Sequence, residues 1–290
     1  MKSGFVAVVG RPNVGKSSLV NALVGQKVAI TSSRPATTRT AIRGVLHLPD
    51  CQIVFVDTPG LHRPRTNLGE RLNRIVHGTL EDGDGALFVL DATQKIGPGD
   101  RMIAEQLREG GMWVVVASNK TDIATPAAIG AQLEEAAAWE FEAYVPVSAL
   151  SGDQLGDVRT ELEARLPEGP PFFPEGMVSD QPEELLIAEI IREKFLARLR
   201  DELPHSLTVV VTGTEERANG NLFVAADLVV ERESQKGIVI GKDGELLRVA
   251  GSEARVELEG LMDRKVFLRL KVRVEKEWQR RDPLLDRLGF

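Results

Sequence analysis

GRPNVGKS, residues 10–17, follows an apolar run at 4–9 and leads into a helix-length segment at 17–24. The spacing is G-x-x-x-x-G-K-[ST], and each residue type in it has a physical task. Gly10 and Gly15 let the backbone fold so that successive N–H groups point at phosphate oxygens at the start of a helix. Lys16 is placed to reach the β- and γ-phosphates of a nucleotide, and Ser17 to offer its hydroxyl to Mg²⁺. Arg11, Pro12, Asn13, Val14 and Ser18 complete the cradle and are expected to line it.

Further runs at 52–56, 85–90, 112–117 and 143–147 are almost continuous in Val, Ile, Leu and Phe, as strands covered on both faces are. Helix-length segments at 68–80, 100–109 and 127–139 lie between them. The alternation predicts an α/β domain, a mostly parallel sheet with helices on both faces. Ligands of such sheets bind outside the carboxyl ends of the strands. The remaining polar motifs fall there.

Asp57-Thr58-Pro59-Gly60 follows the second long run. An acid at that position can hold Mg²⁺ through water, and Gly60 can donate its N–H to a γ-phosphate with no side chain in the way. Asn119-Lys120-Thr121-Asp122 follows the run ending at 117 and decides the base. Guanine shows two donors, N1–H and N2–H₂, on one edge, and a carboxylate accepts both side by side. Adenine presents a lone pair at N1. Asp122 therefore selects GTP or GDP, Lys120 would lie along the base, and Asn119 would tie loops together. Ser148-Ala149-Leu150, after the last run, fits a loop whose Ala149 N–H meets the guanine O6.

At 290 residues, two domains of ordinary size are expected. No apolar run approaches the ~20 residues of a spanning helix, and the first residues are too short for a signal peptide. The single cysteine, Cys51, cannot form an internal disulfide, which agrees with a reducing cytosol. The net charge of −7 argues against a surface that grips nucleic acid all over. Residues 264–281, however, hold eight Lys or Arg against two Glu, a local +6.

Pro167-Glu168-Gly169-Pro170-Pro171-Phe172-Phe173-Pro174 breaks helix and strand alike, so the boundaries are expected at 1–168 for the first domain, 169–181 for a linker and 182–290 for the second. The second domain reads as a helix at 183–199, strands at 206–214 and 222–232, a short helix, Gly241-Lys242-Asp243-Gly244, a helix at 245–260 and a half-exposed strand at 265–274. A G-x-x-G tetrad alone is weak. In this order of elements it matches an α+β KH domain of the bacterial type II, whose glycines bring backbone close to single-stranded RNA. Ile238-Val239-Ile240 would form either the apolar floor under the bases or plain core. Lys242 adds charge where phosphates pass, and the basic run, with Lys271 and Arg273, either meets RNA or is a solvated strand face.

Taken together, the four nucleotide motifs, the linker and the KH-type order resemble the Era family of GTPases along essentially the whole chain. Ser33-Arg34-Pro35-Ala36-Thr37-Thr38-Arg39-Thr40 is similar to that family's switch I, which implies that Thr38, with Thr37 the alternative, reaches Mg²⁺ and the γ-phosphate. The resemblance implies GTP hydrolysis, catalytic roles for Lys16, Thr38 and Gly60, and a cytoplasmic monomer. Its partner would be the 3′ end of 16S rRNA in the 30S subunit, not DNA, with peripheral contact to the inner membrane surface in some members. It also implies a K⁺ ion near Asn13. Two features depart from expectation. Leu61 stands where Ras-type enzymes place a water-orienting glutamine, and Asp243 puts an acid inside the G-x-x-G. The rival readings are a protein-recruiting switch that uses the KH-like fold as a docking surface, and a membrane-associated GTPase.

A carboxylate that reads a base edge gives a direct prediction. Guanylates bind at least ~10⁴-fold more tightly than adenylates, because adenine leaves Asp122 facing an acceptor. Competition calorimetry with GDP and ADP checks it.

Overall fold

The computed structural model describes residues 1–32, 37–61, 66–200 and 203–290, and the chain divides into two compact units with the break between Asp180 and Gln181. Residues 33–36, the first half of the segment read as switch I, lie outside the described residues.

In the first unit the elements run β1 (Lys2–Val9), α1 (Lys16–Val24), β2 (Ile42–Leu48), β3 (Cys51–Asp57), α2 (Asn67–Asp82), β4 (Gly85–Asp91), α3 (Pro98–Gly110), β5 (Trp113–Asn119), α4 (Pro126–Ala137), β6 (Ala143–Val147) and α5 (Leu155–Arg165). The sheet order is β2-β3-β1-β4-β5-β6, parallel except that β2 runs antiparallel to β3. Strands β3 and β4 are buried along their whole length, which is why they read as unbroken apolar runs. Two cores lie on the two faces. One gathers Val6, Leu19, Ile53, Phe55, Leu87 and Val115, and the other Ala7, Val9, Phe88, Ile103 and Val116. The sequence reading missed β2, an edge strand whose Arg43, Gly44 and His47 interrupt its apolar pattern.

Residues 169–180, expected as part of a linker, belong to the first unit and are strapped to it. The Gln52 side chain, fully buried in β3, accepts from the N–H groups of Phe172 and Phe173 at 2.7 and 3.0 Å and donates to the Phe173 carbonyl at 2.8 Å. The rings of Phe5 and Phe172 sit 4.7 Å apart. Beyond them, Val45 N–H donates to Val178 O, Ser179 Oγ donates to Arg43 O, and Arg43 pairs with Asp180 at 2.7 Å. The strap thus covers the open edge of β2, the part of a sheet most exposed to unwanted pairing. Proline and glycine correctly ruled out a helix, but hydrogen bonds made from 120 residues away leave no local signature.

The second unit holds α6 (Glu183–Leu196), α7 (Leu203–Ser206), β7 (Thr208–Glu216), β8 (Leu222–Val230), α8 (Glu233–Ile240), α9 (Glu245–Met262), β9 (Val266–Val274) and α10 (Asp282–Arg287). Its sheet runs β7-β8-β9, the first pair antiparallel and the second parallel. One face of β8, with Val224, Ala226, Leu228 and Val230, is buried in the core, while α6 packs against β7 and α9. Trp278 is fully buried, donates Nε1–H to Ser206 O at 2.9 Å and stacks on Phe290. Among the described residues no helix is long and apolar enough to cross a membrane.

Gln52→Ala leaves two N–H groups and a carbonyl of the strap without their partner. The expected outcome is a loss of about 1–3 kcal/mol in denaturant titrations, with proteolytic cleavage appearing between residues 169 and 180.

Candidate nucleotide and RNA sites

The loop 10–17 joins β1 to α1 at the carboxyl edge of the sheet. Its turn needs left-handed backbone at Asn13 (φ 66°) and at Gly15 (φ 98°). A Cβ on Gly15 would stand 2.3 Å from Asn119 Nδ2, and one on Gly60 would stand 2.8 Å from Pro12 N. Both glycines are therefore dictated by close approach as well as by phosphate chemistry.

Lys16 lies buried inside the loop, where Nζ donates to the carbonyls of Gly10 and Arg11 at 3.1 Å each. Burial pulls its ammonium down to about 8, against the opposing pull of Asp57. Asp57, also fully buried, has its carboxyl pushed up by burial, with Lys16, Ser17 and Thr38 acting the other way. Ser17 Oγ donates to Asp57 Oδ2 at 2.6 Å, Thr38 Oγ1 donates to the same oxygen at 3.3 Å, and the two hydroxyls are 3.1 Å apart. Asp57 Oδ1 is buried with no hydrogen-bond partner among the described residues. Two hydroxyls and one carboxylate, one of whose oxygens is buried and unpartnered, form a hard, all-oxygen donor set, which suits Mg²⁺. Of the alternatives at 37 and 38, it is Thr38 that joins this cluster.

Thr58 behaves differently from its neighbours, since its hydroxyl donates back to Val8 O at 2.8 Å within the sheet. Leu61 is 5% exposed and packs in the core with Ala7, Val9 and Phe88.

On the base side, Asn119 Nδ2 donates to Val14 O at 2.9 Å, and its Oδ1 accepts from Ala149 N–H at 3.0 Å, so it does tie two loops together. The Ala149 N–H expected to meet the guanine O6 is directed at Asn119 Oδ1 here. Lys120 reaches Asn13 O at 2.7 Å and Asp91 Oδ2 at 2.6 Å. Burial pushes the Asp91 carboxyl up, but Lys120 and Thr93 outweigh it and hold the group below its usual range. Asp122 is exposed, with Ser148 Oγ donating to Oδ1 at 2.7 Å. Ile123, next in the chain, and Leu150, in the loop after β6, are 70% and 87% exposed.

Sequence reasoning missed Asp91 and Asp100. Asp91 ends β4 and anchors Lys120; Asp100 sits in the first turn of α3 and holds Arg11 at 2.7 Å. Arg11 thus braces the phosphate loop from behind, facing α3. An acid at the end of an apolar strand, as in Asp91, was the available signal.

In the second unit the G-x-x-G loop turns through left-handed backbone at Gly241 (φ 76°), Asp243 (φ 51°) and Gly244 (φ 74°). Asp243 is among the few side chains that tolerate that region. A Cβ on Gly241 would meet Leu246 at 2.8 Å, and Lys242 and Asp243 project into solvent. Beside the loop, α9 and β9 enclose a groove of about 550 Å³. Leu247, Leu268 and Leu270 make it apolar, Gly244, Gly251 and Ser252 keep it open, and Arg248 and Arg255 supply charge.

This geometry bears on both readings left open above, the apolar floor and the basic strand face. Val239 is fully buried core, and the apolar groove lining comes from α9 and β9, with Ile238 exposed on α8 and Ile240 half-buried. Lys271 and Arg273 alternate with the groove-lining Leu268 and Leu270 along β9, so they lie on the opposite face of the sheet. The sequence showed the alternation but not which parity faced the helix.

Residues 5–120 match the family model described as 50S ribosome-binding GTPase, and residues 202–279 match that of the KH domain. The chain is 52% identical to the GTPase Era of Mycobacterium tuberculosis, with 99% of this chain and 98% of that protein covered. Identity to the GTPase Era of Nocardioides sp. is 50%, covering 100% and 96%. Among solved structures, Era in complex with MgGDPNP and nucleotides 1506–1542 of 16S ribosomal RNA superposes with a TM-score of 0.96 at 38% identity, covering 100% of this chain and 99% of that one. An Aquifex aeolicus Era variant bound to GDP·AlF₄⁻ matches with the same TM-score, identity and coverage. With motifs, topology and full-length similarity in agreement, the chain belongs to the Era family of GTPases.

Proposed function

We propose that this chain is a GTP-binding and GTP-hydrolysing switch that binds the single-stranded 3′ end of 16S rRNA through its KH domain during assembly of the 30S subunit. The observation that carries the nucleotide half is the convergence of Ser17, Thr38 and Asp57, with one carboxylate oxygen buried and unpartnered. The RNA half is supported by the open, part-basic groove beside the G-x-x-G loop and by the RNA-bound relative. The cytoplasm is the corresponding location.

The residues divide the work as follows. The N–H groups of the loop 10–17 and the Lys16 ammonium hold the phosphates, with Lys16 exchanging its two backbone carbonyls for phosphate oxygens. Ser17, Thr38 and Asp57 would hold Mg²⁺, which supplies charge stabilisation at the β- and γ-phosphates. Gly60 N–H would donate to the γ-phosphate. Asp122 and Lys120 select and support the guanine, while Asn119, by joining Val14 to Ala149, fixes the distance between base and phosphate subsites. Thr38 lies in the segment that orders around the γ-phosphate, so GTP and GDP present different surfaces.

Hydrolysis has no side chain at position 61 to orient water. Asn13, exposed at the left-handed turn of the loop, is the candidate group for a K⁺ ion in its place. Turnover by the purified protein is therefore expected to fall well below the roughly 5–20 s⁻¹ of an assisted GTPase and to be faster in potassium than in sodium. Steady-state phosphate release in the two salts checks this, and rapid turnover that is equal in both would contradict it.

For the KH domain, the double variant Lys242→Asp with Gly244→Asp is expected to weaken short single-stranded RNA by ~10-fold or more at moderate salt while leaving GDP binding unchanged. Fluorescence anisotropy over a salt series reads it. Undiminished RNA affinity would remove the groove from the account.

A further inference from the structure

The side of the KH sheet that faces away from the groove carries its own constellation. The rings of Phe223 on β8 and Phe267 on β9 stack 5.6 Å apart and 17° from parallel. The Arg217 guanidinium lies over both rings at 5.1 and 5.3 Å, and that of Arg269 lies over Phe223 at 5.3 Å. Phe267 remains 55% exposed. From there Arg269, Lys271 and Arg273 continue along the same face of β9, all exposed. The acidic groups toward this face are Asp227, which pairs with Arg273 at 2.7 Å, by register Glu215 opposite Phe223, and, just past the end of β9, Glu275, which pairs with Arg287 at 2.6 Å. The surplus is basic.

Three observations select the occupant. Residues two apart in a strand are about 6.6 Å apart, so Arg269, Lys271 and Arg273 form a straight ladder of cations suited to an extended polyanion. Flat aromatic and guanidinium surfaces at one end of the ladder suit the faces of unpaired bases. Finally, β9 is the edge strand, and Phe267 borders the groove as well as the stacked pair. A chain leaving the groove therefore meets this face by passing around a single strand.

We propose that the outer face of β9 is a second RNA subsite. Single-stranded RNA held in the groove continues around Phe267 and lays its backbone along Arg269 and Lys271, with a base against the Arg217–Phe223–Phe267 stack. This rests on the groove binding RNA as argued above. It extends the footprint beyond the ~four nucleotides of one KH clamp and makes affinity depend on RNA length.

The test uses the full chain with two single-stranded RNAs from the 3′ end of 16S rRNA, one of about four nucleotides and one of about twelve, sharing the same clamp segment. The long RNA is expected to bind the unaltered protein ~10-fold more tightly. The variant Arg269→Ala with Lys271→Ala should lose that advantage, bind the short RNA as the unaltered protein does, and lower the salt slope for the long RNA by about 1.4. Normal binding of the short RNA doubles as the control for folding. If the unaltered protein shows no length advantage, or if the variant keeps it, the outer face is not an RNA subsite and its aromatic, basic patch belongs to a protein contact. Loss of both RNAs in the Lys242→Asp, Gly244→Asp variant supports the groove on which the inference rests. Retention of both would overturn the groove itself, separately from the outcome at Arg269 and Lys271.

Discussion

The amide of Asn119 is the joint on which the nucleotide site depends. With one end on the Val14 carbonyl and the other on the Ala149 N–H, it fixes the phosphate loop and the base loop at one separation. Asn119 makes both contacts from a buried position. The same amide explains why position 15 is glycine: a methyl there would occupy the place of Nδ2. Lys120 adds a second tie from Asn13 to Asp91, and Arg11 a third to Asp100. The loop that must bend around phosphates is thus held from three directions by residues that need not touch them, and preorganisation of this kind reduces the ordering cost of binding.

Inside that frame, Lys16 and Asp57 are a buried cation and a buried anion, each disfavoured by burial and each partly relieved by the other. A phosphate beside Lys16 favours its ammonium, and a divalent cation beside Asp57 favours its carboxylate. Both charges are therefore better accommodated in the filled site than in the empty one. The hydroxyls of Ser17 and Thr38 satisfy one carboxylate oxygen and leave the other bare, an asymmetry that makes sense for a group with an external partner.

Most of the first unit was legible because its determinants are local. The motifs at 10–17, 57–60 and 119–122 sit at strand ends, where topology brings them together. What escaped was non-local. The edge strand β2 has no clean period, the strap at 169–180 is held by Gln52 and β2, and the use of Ala149 N–H depends on an amide thirty residues earlier. In the second unit, alternation at 265–274 showed that one strand face is wet, but period two carries no label for which neighbour covers which parity. The groove takes its charge from Arg248 and Arg255 on α9, seven residues apart and so on one side of the helix, which no count of the basic run could indicate.

Position 61 shows how a site can be misjudged by aligning residue types alone. The absence of glutamine there looks like a lost catalytic group, yet the structure makes Leu61 a core residue, at 5% exposure among Ala7, Val9 and Phe88. A glutamine in its place would have to bury its amide, at a cost of about 1–3 kcal/mol if left unpaired, or pull the chain after Gly60 away from the sheet. Gly60 itself has little freedom to follow, because it is pressed against Pro12 at a separation only a hydrogen can occupy. The backbone geometry that presses Gly60 against Pro12 of the phosphate loop is thus the geometry that turns residue 61 inward. The inward turn of residue 61 follows from how the chain leaves β3 and passes Pro12, not from the residue type alone.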